Sequence, residues 1–499
     1  MTNSRYDSEF CGSLPIHLIN LIQPYGVLLV LDNDSYRIVQ ASENAEKVFN
    51  KNVEELVGTD LEKHILPNEF EHLKERNYHA SVDKIPATWT IDGKEYLVLV
   101  HQKEKFILVE LDLIEQQGAA SSFNRVYQEI KYAMGLIQSA NTLKDVAMVT
   151  ARELKRISKF DKVMIYEFDK DWNGTVLAEE MEEGMESYNG ITFPASDVPH
   201  PARQLYLKNP YRFIPSRFQE PVKLYPLINP LTSSFLDLSD CNLRAVPSVH
   251  LEYLANMNVE ASMSTRILKG DSLWGLIACH HRTEMIVSFE MRSVFEMISN
   301  IVSAKVTSLQ GSVAHSLSLR LKEGLNSIVE ETYRQNDVNE ALLNSSPDVL
   351  DLFNAQGVVI SGRGALHTKG VVPDAESLGE LILWLHTRQL KRVFYTDHLG
   401  QEYDSARAFE KEVSGMLVIP INSPNDEYVL IFRSEFPQVV NWGGNPNERI
   451  FFDNDEKTYH PRHSFKLWRE QVEGKSMPWK EEEIVTAESL RSFIYEFRN

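Results

Sequence analysis

The chain has 499 residues, 43% of them apolar and 10% aromatic; it is too long for one core, which rarely grows past about 250 residues, and too apolar to be disordered, so about three domains are expected. Its formal charge of −20 argues against a nucleic-acid surface or an anionic membrane as the main partner. No apolar run approaches the roughly 20 residues of a membrane span, the start MTNSRYDSEF has no signal-peptide core, and Cys11, Cys241 and Cys279 form no CxxC pair; a cytosolic protein without a disulfide framework, Cys-rich zinc centre or other metal site is expected.

Cys11 lies in an N-terminal arm, residues 1–25, ahead of every periodic segment. A thiol there fills no core gap and is either incidental or an attachment point. From Gly26, GVLLVLDNDSYRIVQASENAEKVF reads as a strand, a turn at Asp32–Asp34, a second strand and a short amphipathic helix. ATWTIDGKEYLVLVHQKEKFILVELDLI adds strands of an antiparallel sheet that ends near Glu115, and QQGAASS reads as a linker. A long helical pattern from Phe123 to Ile157 opens a second domain, with strands at KVMIYEFD and GTVLAEEM after it.

The stretch TFPASDVPHPARQLYLKNPYRFIPS comes next, with prolines at 194, 199 and 201. They forbid a helix until about Pro201, where PARQLYLKN can begin one with Pro in its first turn. Asp197 therefore stands on a rigid approach to a helix N-terminus, among Arg203, Arg212 and His200. That is a place to hold a ligand or simply a capping loop.

The helix SVHLEYLANM follows, and the strands EASMSTRILKG and SLWGLIACHH close the domain. The later GMLVIPINSPNDEYVLIFRSE has the same strand–turn–strand logic, which predicts two related α+β modules in tandem. Between them, Met285 to about Asn344 is helical, with apolar residues at steps of three and four; it reads as a domain-bridging spine or dimer seam, or as two helices broken near Gly311. From Trp442 to Lys480 the periodicity fails, yet five aromatics lie inside the two outer tryptophans, so this segment is expected to pack on something.

Strand alternation sorts the polar residues of the closing pair. Leu276, Ala278 and His280 share one face and Ile277, Cys279 and His281 the other, so a zinc site on CHH is disfavoured. Ser262, Ser264 and Arg266 also share a face. His250 and Tyr253, three apart, lie on one side of their helix, Arg244 is just upstream, and Tyr166 and Phe193 add aromatic walls. Arg212 and Arg244 with two histidines, one Asp and several aromatics would suit a flat conjugated ligand carrying carboxylates, which arginine meets with paired donors.

PASDVPHPAR, LRAVPSVHLEYLANM, SLWGLIACHH and PRHSF, in this order after LIQPYG and an upstream cysteine, resemble the signatures of bacterial phytochromes over essentially the whole chain. The resemblance implies an α+β fold of three tandem domains with antiparallel sheets: PAS at 26–118, GAF at 119–310 and PHY at 311–499. It also implies a long connecting helix, an N-terminal figure-eight knot threaded near Leu21 to Pro24, and a PHY tongue at about 437–480. The implied function is red/far-red light sensing by Z/E isomerisation of biliverdin IXα held by a thioether to Cys11. The plant branch attaches its bilin at the position of Val249, so this sequence favours the N-terminal thiol.

Carried over residue by residue, Asp197 would contact the pyrrole nitrogens through its backbone, His250 would stack near the central rings, and His280 would bond the D-ring carbonyl. Arg212 and Arg244 would answer the propionates, helped by Tyr206, Ser262 and Ser264, while Tyr166, Phe193 and Tyr253 wall the D ring. Arg462, with Ser464 beside it in the tongue, would pair with Asp197. VPSVH departs from the order of Ser and Pro common in the family, which puts a hydroxyl contact there in doubt. A homodimer through the long helices and an output effector, most often a histidine kinase and less often a diguanylate cyclase, or a response regulator, are the implied partners. The chain's end, SLRSFIYEFRN, looks cut off within a helix, and no catalytic site is expected in these residues. Other classes are weaker: an enzyme lacks a third orienting residue, an oxyanion-hole motif or a phosphate loop, whereas a colourless PAS/GAF small-molecule sensor is the main alternative.

Overall fold

The computed structural model describes residues 16–77, 84–114, 119–362, 364–446, 451–452, 459–460 and 465–498. The chain forms two compact units, Met1–Leu309 with Asn441–Trp468, and Gln310–Val440 with Arg469–Asn499.

Besides a two-stranded pairing of Phe451–Phe452 with Tyr459–His460, two larger sheets are built mainly from the first unit. One has seven strands in the order Leu21–Ile22, Val222–Tyr225, Ile38–Ser42, Gly26–Asp32, Phe106–Asp112, Lys94–Gln102, Ile85–Ile91. The apolar run of Gly26–Asp32 is explained by burial on both faces. Val27, Leu29 and Leu31 pack on Val48, Phe49, Leu56 and Phe70, whereas Leu28 and Val30 join a second cluster with Tyr25 and Phe213. Two strands of this sheet come from unexpected places. Leu21 and Ile22 pair with Lys223 and Val222, and Leu224 and Tyr225 pair with Ser42 and Ala41. The 21–24 stretch is pinned from its other side too: Gln23 N–H donates to the Leu243 carbonyl at 2.7 Å, and Ala245 N–H to Leu21 at 2.9 Å.

The other sheet runs Tyr211–Ile214, Ala261–Lys269, Ser272–His281, Lys162–Phe168, Gly174–Met181, Thr192–Phe193, Gln438–Gly443, Leu467–Val472. Its last strand lies in the stretch expected to be irregular and the one before it reaches two residues into that stretch, where Trp442 pairs in parallel with Thr192. The expected helix from Phe123 to Ile157 is two helices, Ala119–Ser139 and Leu143–Ser158. Thr142 makes the break by capping the second, its hydroxyl accepting from Asp145 N–H at 3.1 Å. The first begins inside the expected QQGAASS linker.

A single 47-residue helix, Phe289–Gln335, passes through Gly311 without a break, which removes the two-helix alternative. It stops short of Asn344 because Asn336 turns left-handed at φ 54°, and Asp337 caps a separate helix, Val338–Asn344. The second unit carries a five-stranded sheet ordered Ala365–Gly370, Gly357–Gly362, Glu427–Arg433, Gly415–Asn422, Phe394–Thr396. Read from the other edge, this is the strand order of the first five strands of the Tyr211 sheet. The expected relation between the two modules therefore extends to topology.

Candidate functional site

Register assembles one face of the Tyr211 sheet. Arg212 pairs with Ser264 and Ile214 with Ser262; Ser262 pairs with His280, Ser264 with Ala278 and Arg266 with Leu276; Ala278 pairs with Met164 and Leu276 with Tyr166. Directly opposed residues share a face, so five of the expected site residues, Arg212, Ser262, Ser264, His280 and Tyr166, stand on one surface. Cys279 points the other way into the core beside Ile277, as alternation requires.

Over this face a cleft of about 1440 Å³, open mouth included, is lined by Asp197, Tyr206, Arg212, Arg244, His250 and Tyr253. Prolines shape its floor. Ala195–Asp197 is a short 3-10 turn after Pro194, and the helix His200–Lys208 starts after Pro199 with Pro201 in its first turn. Asp197 accepts the Tyr253 hydroxyl at 2.9 Å, and His250 stacks on Tyr253 at 6.0 Å with 10° between the rings. Val249 also lines the cleft, and so does Cys241, whose buried thiol donates to Glu110 Oε2 at 3.2 Å.

Among the described residues neither arginine has an acidic partner. Arg212 donates to the Asn242 carbonyl at 3.4 Å, and Arg244 to the Ile16 carbonyl at 3.2 Å. Arg212 Nη2 and Arg244 Nε are buried with no hydrogen-bond partner among the described residues. Burial, and then the charge of Arg212, push Arg244 down to about 9, still cationic at neutral pH. Buried guanidinium nitrogens without partners are costly, and an anionic ligand in the cleft relieves that cost. Burial, then Arg212 and Arg244, lower His250 to about 4. Burial, then Lys162 and His250, lower His280 to about 3.

Tyr206 donates to or accepts from Ser264 Oγ at 2.6 Å, bracing the cleft wall. Ser262 and His280 are buried on the same face beyond it. Tyr166 and Phe193 stand 5.7 Å apart by ring centroids, and Phe465 packs on Phe193 at 6.5 Å and edge-on to Tyr253 at 5.2 Å. Cys11, Arg462 and Ser464 lie outside the described residues.

Three polar residues near Asp197 in sequence or on the shared face stand outside the cleft lining. Arg203 ties its own loop, donating to the Val198 carbonyl at 2.6 Å and stacking over Trp172 at 4.6 Å. His200 is exposed, and Arg266 is committed to the Tyr206 and Leu207 carbonyls. Sequence reasoning missed Ile16, Asn445 and Pro446 in the cleft lining, because nothing local announces where an arm or a returning loop will land.

A cleft with buried guanidiniums and aromatic walls suits a flat anionic ligand. Residues 11–114 match the PAS fold family, 142–306 the GAF domain family and 321–499 the Phytochrome region family. Among curated relatives, the chain is 35% identical to Cyanobacterial phytochrome B of Nostoc sp. over 98% of its own length and 66% of that protein's. It is 31% identical to the Bacteriophytochrome of Xanthomonas campestris pv. campestris over 98% of its own length and 78% of that protein's. A solved structure, the Stigmatella aurantiaca phytochrome photosensory core module, superposes with a TM-score of 0.84 at 34% identity, covering 100% of this chain and 98% of that one. The chain belongs to the bacterial phytochrome family, as a PAS-GAF-PHY photosensory core. It is a red/far-red photoreceptor module, and the matched regions include no catalytic domain. The chain spans 66% of the length of the Nostoc relative.

Proposed function

We propose that this module binds biliverdin IXα in the cleft, tethered through the Cys11 thiol. The observation that carries the reading is the pair of buried guanidiniums with nitrogens unpartnered among the described residues in a chain of net charge −20: they fit the two propionates of a linear tetrapyrrole. Val249, where the plant branch has its thiol, leaves no sulfur at that position.

In this reading Arg212 and Arg244 hold the propionates, with Tyr206, Ser262 and Ser264 as hydroxyl support. Asp197 offers its backbone to the pyrrole nitrogens, and His250 stays neutral beside the central rings. His280 donates to the D-ring carbonyl, and Tyr166, Phe193 and Tyr253 wall that end. Bound biliverdin would supply the light absorption and a Z/E isomerisation at its C15=C16 bond. The chain's part is to read the outcome: Asp197 exchanges partners between Tyr253 and Arg462, with Ser464 beside it, and the 437–480 segment refolds between strand-like and helical forms.

The magnitudes are compatible with that switch. Moving a two-state element from about 1:99 to 99:1 takes about 5.5 kcal/mol. Breaking one side of a buried ion pair costs about 3–5 kcal/mol. Phe465, 5% exposed against Phe193 and Tyr253, can add the remainder, since burying a Phe side chain is worth about 1.5–3 kcal/mol. The long helix would pass the change to a histidine kinase or, less often, a diguanylate cyclase output, in a cytoplasmic homodimer.

Purified apoprotein mixed with biliverdin should gain a long-wavelength visible band that shifts on illumination. Cys11→Ala should retain much of the pigment under native conditions and lose all of it on denaturation. An apoprotein that stays colourless, or binds without responding to light, overturns the reading, and a denatured Cys11→Ala chain still carrying pigment removes that thiol from it.

A further inference from the structure

A buried cation stands at the far end of the cleft face without a place in the scheme above. Lys162 opens the Lys162–Phe168 strand directly opposite His280, so both side chains lie on the cleft side of the sheet. Its side chain is 1% exposed, with Nζ 3.4 Å from Glu179 Oε2. Nζ also donates to the Glu186 carbonyl and sits 3.7 Å from the Tyr188 ring centroid, a cation–π distance.

Glu179 is equally enclosed at 6% exposure. Its two oxygens accept the Tyr188 N–H at 2.9 and 3.1 Å. Lysine and glutamate thus grip one residue from two sides, ring and backbone. The Tyr188 ring meets Phe193 edge-on at 5.4 Å, and Phe193 touches both Tyr166 and Phe465. Burying an ion pair costs several kcal/mol in desolvation, and apolar side chains of similar volume usually fill such space at no loss of stability. A pair placed here is better explained by what it positions.

We propose that Lys162 is a positioning residue which, with Glu179, fixes Tyr188 and through it the Phe193–Tyr166–Phe465 wall, and so sets the room left to a ligand ring beside His280. The charge acts on His280 as well: after burial, Lys162 is the next cause holding its imidazole neutral. This inference rests on the bilin reading for the identity of the ring, but the positioning itself is testable without pigment.

The experiment uses the full chain as wild type, Lys162→Met, Lys162→Arg and the double variant Lys162→Met/Glu179→Gln, which leaves no unpaired buried carboxylate if the single variant fails to fold. In the apoprotein, hydrogen–deuterium exchange of the Tyr188 amide should speed up at least tenfold in Lys162→Met or the double variant. Lys162→Arg, which keeps charge and ring contact, should stay within threefold of wild type. In the biliverdin-assembled protein the same neutral variants should change the thermal decay rate of the photoproduct at least fivefold, with Lys162→Arg within twofold. Wild-type exchange at Tyr188 in a folded neutral variant overturns the proposal, as does altered exchange with unchanged decay. A wild type that takes up no biliverdin sinks the pigment reading alone, and the exchange result then decides the positioning.

Discussion

His250 lines the cleft and His280 is buried on the sheet face beyond it, and each is held neutral for a reason visible around it. For His280 the causes are burial first, then Lys162 and His250, which hold it at about 3 against an ordinary 6.5. A lowered histidine is favoured in its neutral form by the fold, so its stabilisation is complete above pH 6.5 and shrinks as pH falls toward 3, while the unfolded chain takes up the proton. Between pH 7 and 5 this one group should cost the fold about 2 kcal/mol. Nitrogen NMR of the apoprotein should show the His280 imidazole neutral at pH 5, and His280→Gln should remove that part of the slope in denaturant unfolding. A His280 that protonates near pH 6.5 would contradict the burial argument. At this scale the sequence was readable in residue type: arginines, histidines and aromatics that suit a carboxylate-bearing ligand, of which Arg212, Arg244, His250 and Tyr253 line one cleft. Lys162 carried a signal too, since alternation along KVMIYEF puts it on the face of Met164 and Tyr166, but a lysine at a strand end ordinarily points to water.

Elements were legible to the extent that their periods are local. SLWGLIACHH became the strand Ser272–His281 with Cys279 inward and His280 toward the cleft, because a strand's alternation is independent of its partner. Gly275 in that strand shows what pairing adds. A Cβ there would land on the carbonyl oxygen of Tyr166, next to the bulge between Ile165 and Tyr166. Gly275→Ala should therefore force the two strands apart at Tyr166, costing upwards of about 2 kcal/mol. Denaturant midpoints measure the loss, and unchanged stability would show that the strands can give way. The Phe123–Ile157 helix was misread as one because its apolar steps continue across residues 140–142. Thr142 was the available cue, with Asp145 three residues on, and the pattern outweighed it.

On the scale of the whole molecule, Glu110 joins parts of the chain more than 130 residues apart. From the Phe106–Asp112 strand its carboxylate accepts Cys241 Sγ, Asn242 N–H at 3.1 Å and Leu243 N–H at 2.7 Å, with His101 Nε2 2.7 Å away. Arg244 follows directly, and the Leu243 carbonyl accepts the Gln23 N–H, so this carboxylate holds the segment that pins both the 21–24 stretch and the cleft. Burial would raise its pKa, but His101, Lys84 and the Leu243 N–H hold it at about 2. The stabilisation is therefore complete above about pH 4.5 and is lost as pH falls toward 2. Glu110→Gln should lower stability at pH 7 by about 3 kcal/mol and flatten the acid limb of the stability curve, as read by denaturant unfolding from pH 7 to 3. An unaltered acid limb would show that other carboxylates dominate it.

By itself, the sequence determined the strands and helices whose periods are locally clear, that two α+β modules repeat, and which residue types stand near Asp197 and His250 in the chain. These follow from periods of two and 3.6, proline geometry and charge, all properties of neighbouring residues. Only the tertiary structure decided that Val222–Tyr225 enters the sheet of the first domain, that Ile16, Asn445 and Pro446 reach the cleft, and that Lys162 stands against His280. Partners separated by tens to hundreds of residues are chosen by register and by which buried groups can be satisfied together, and that choice leaves no trace in any short window of the chain.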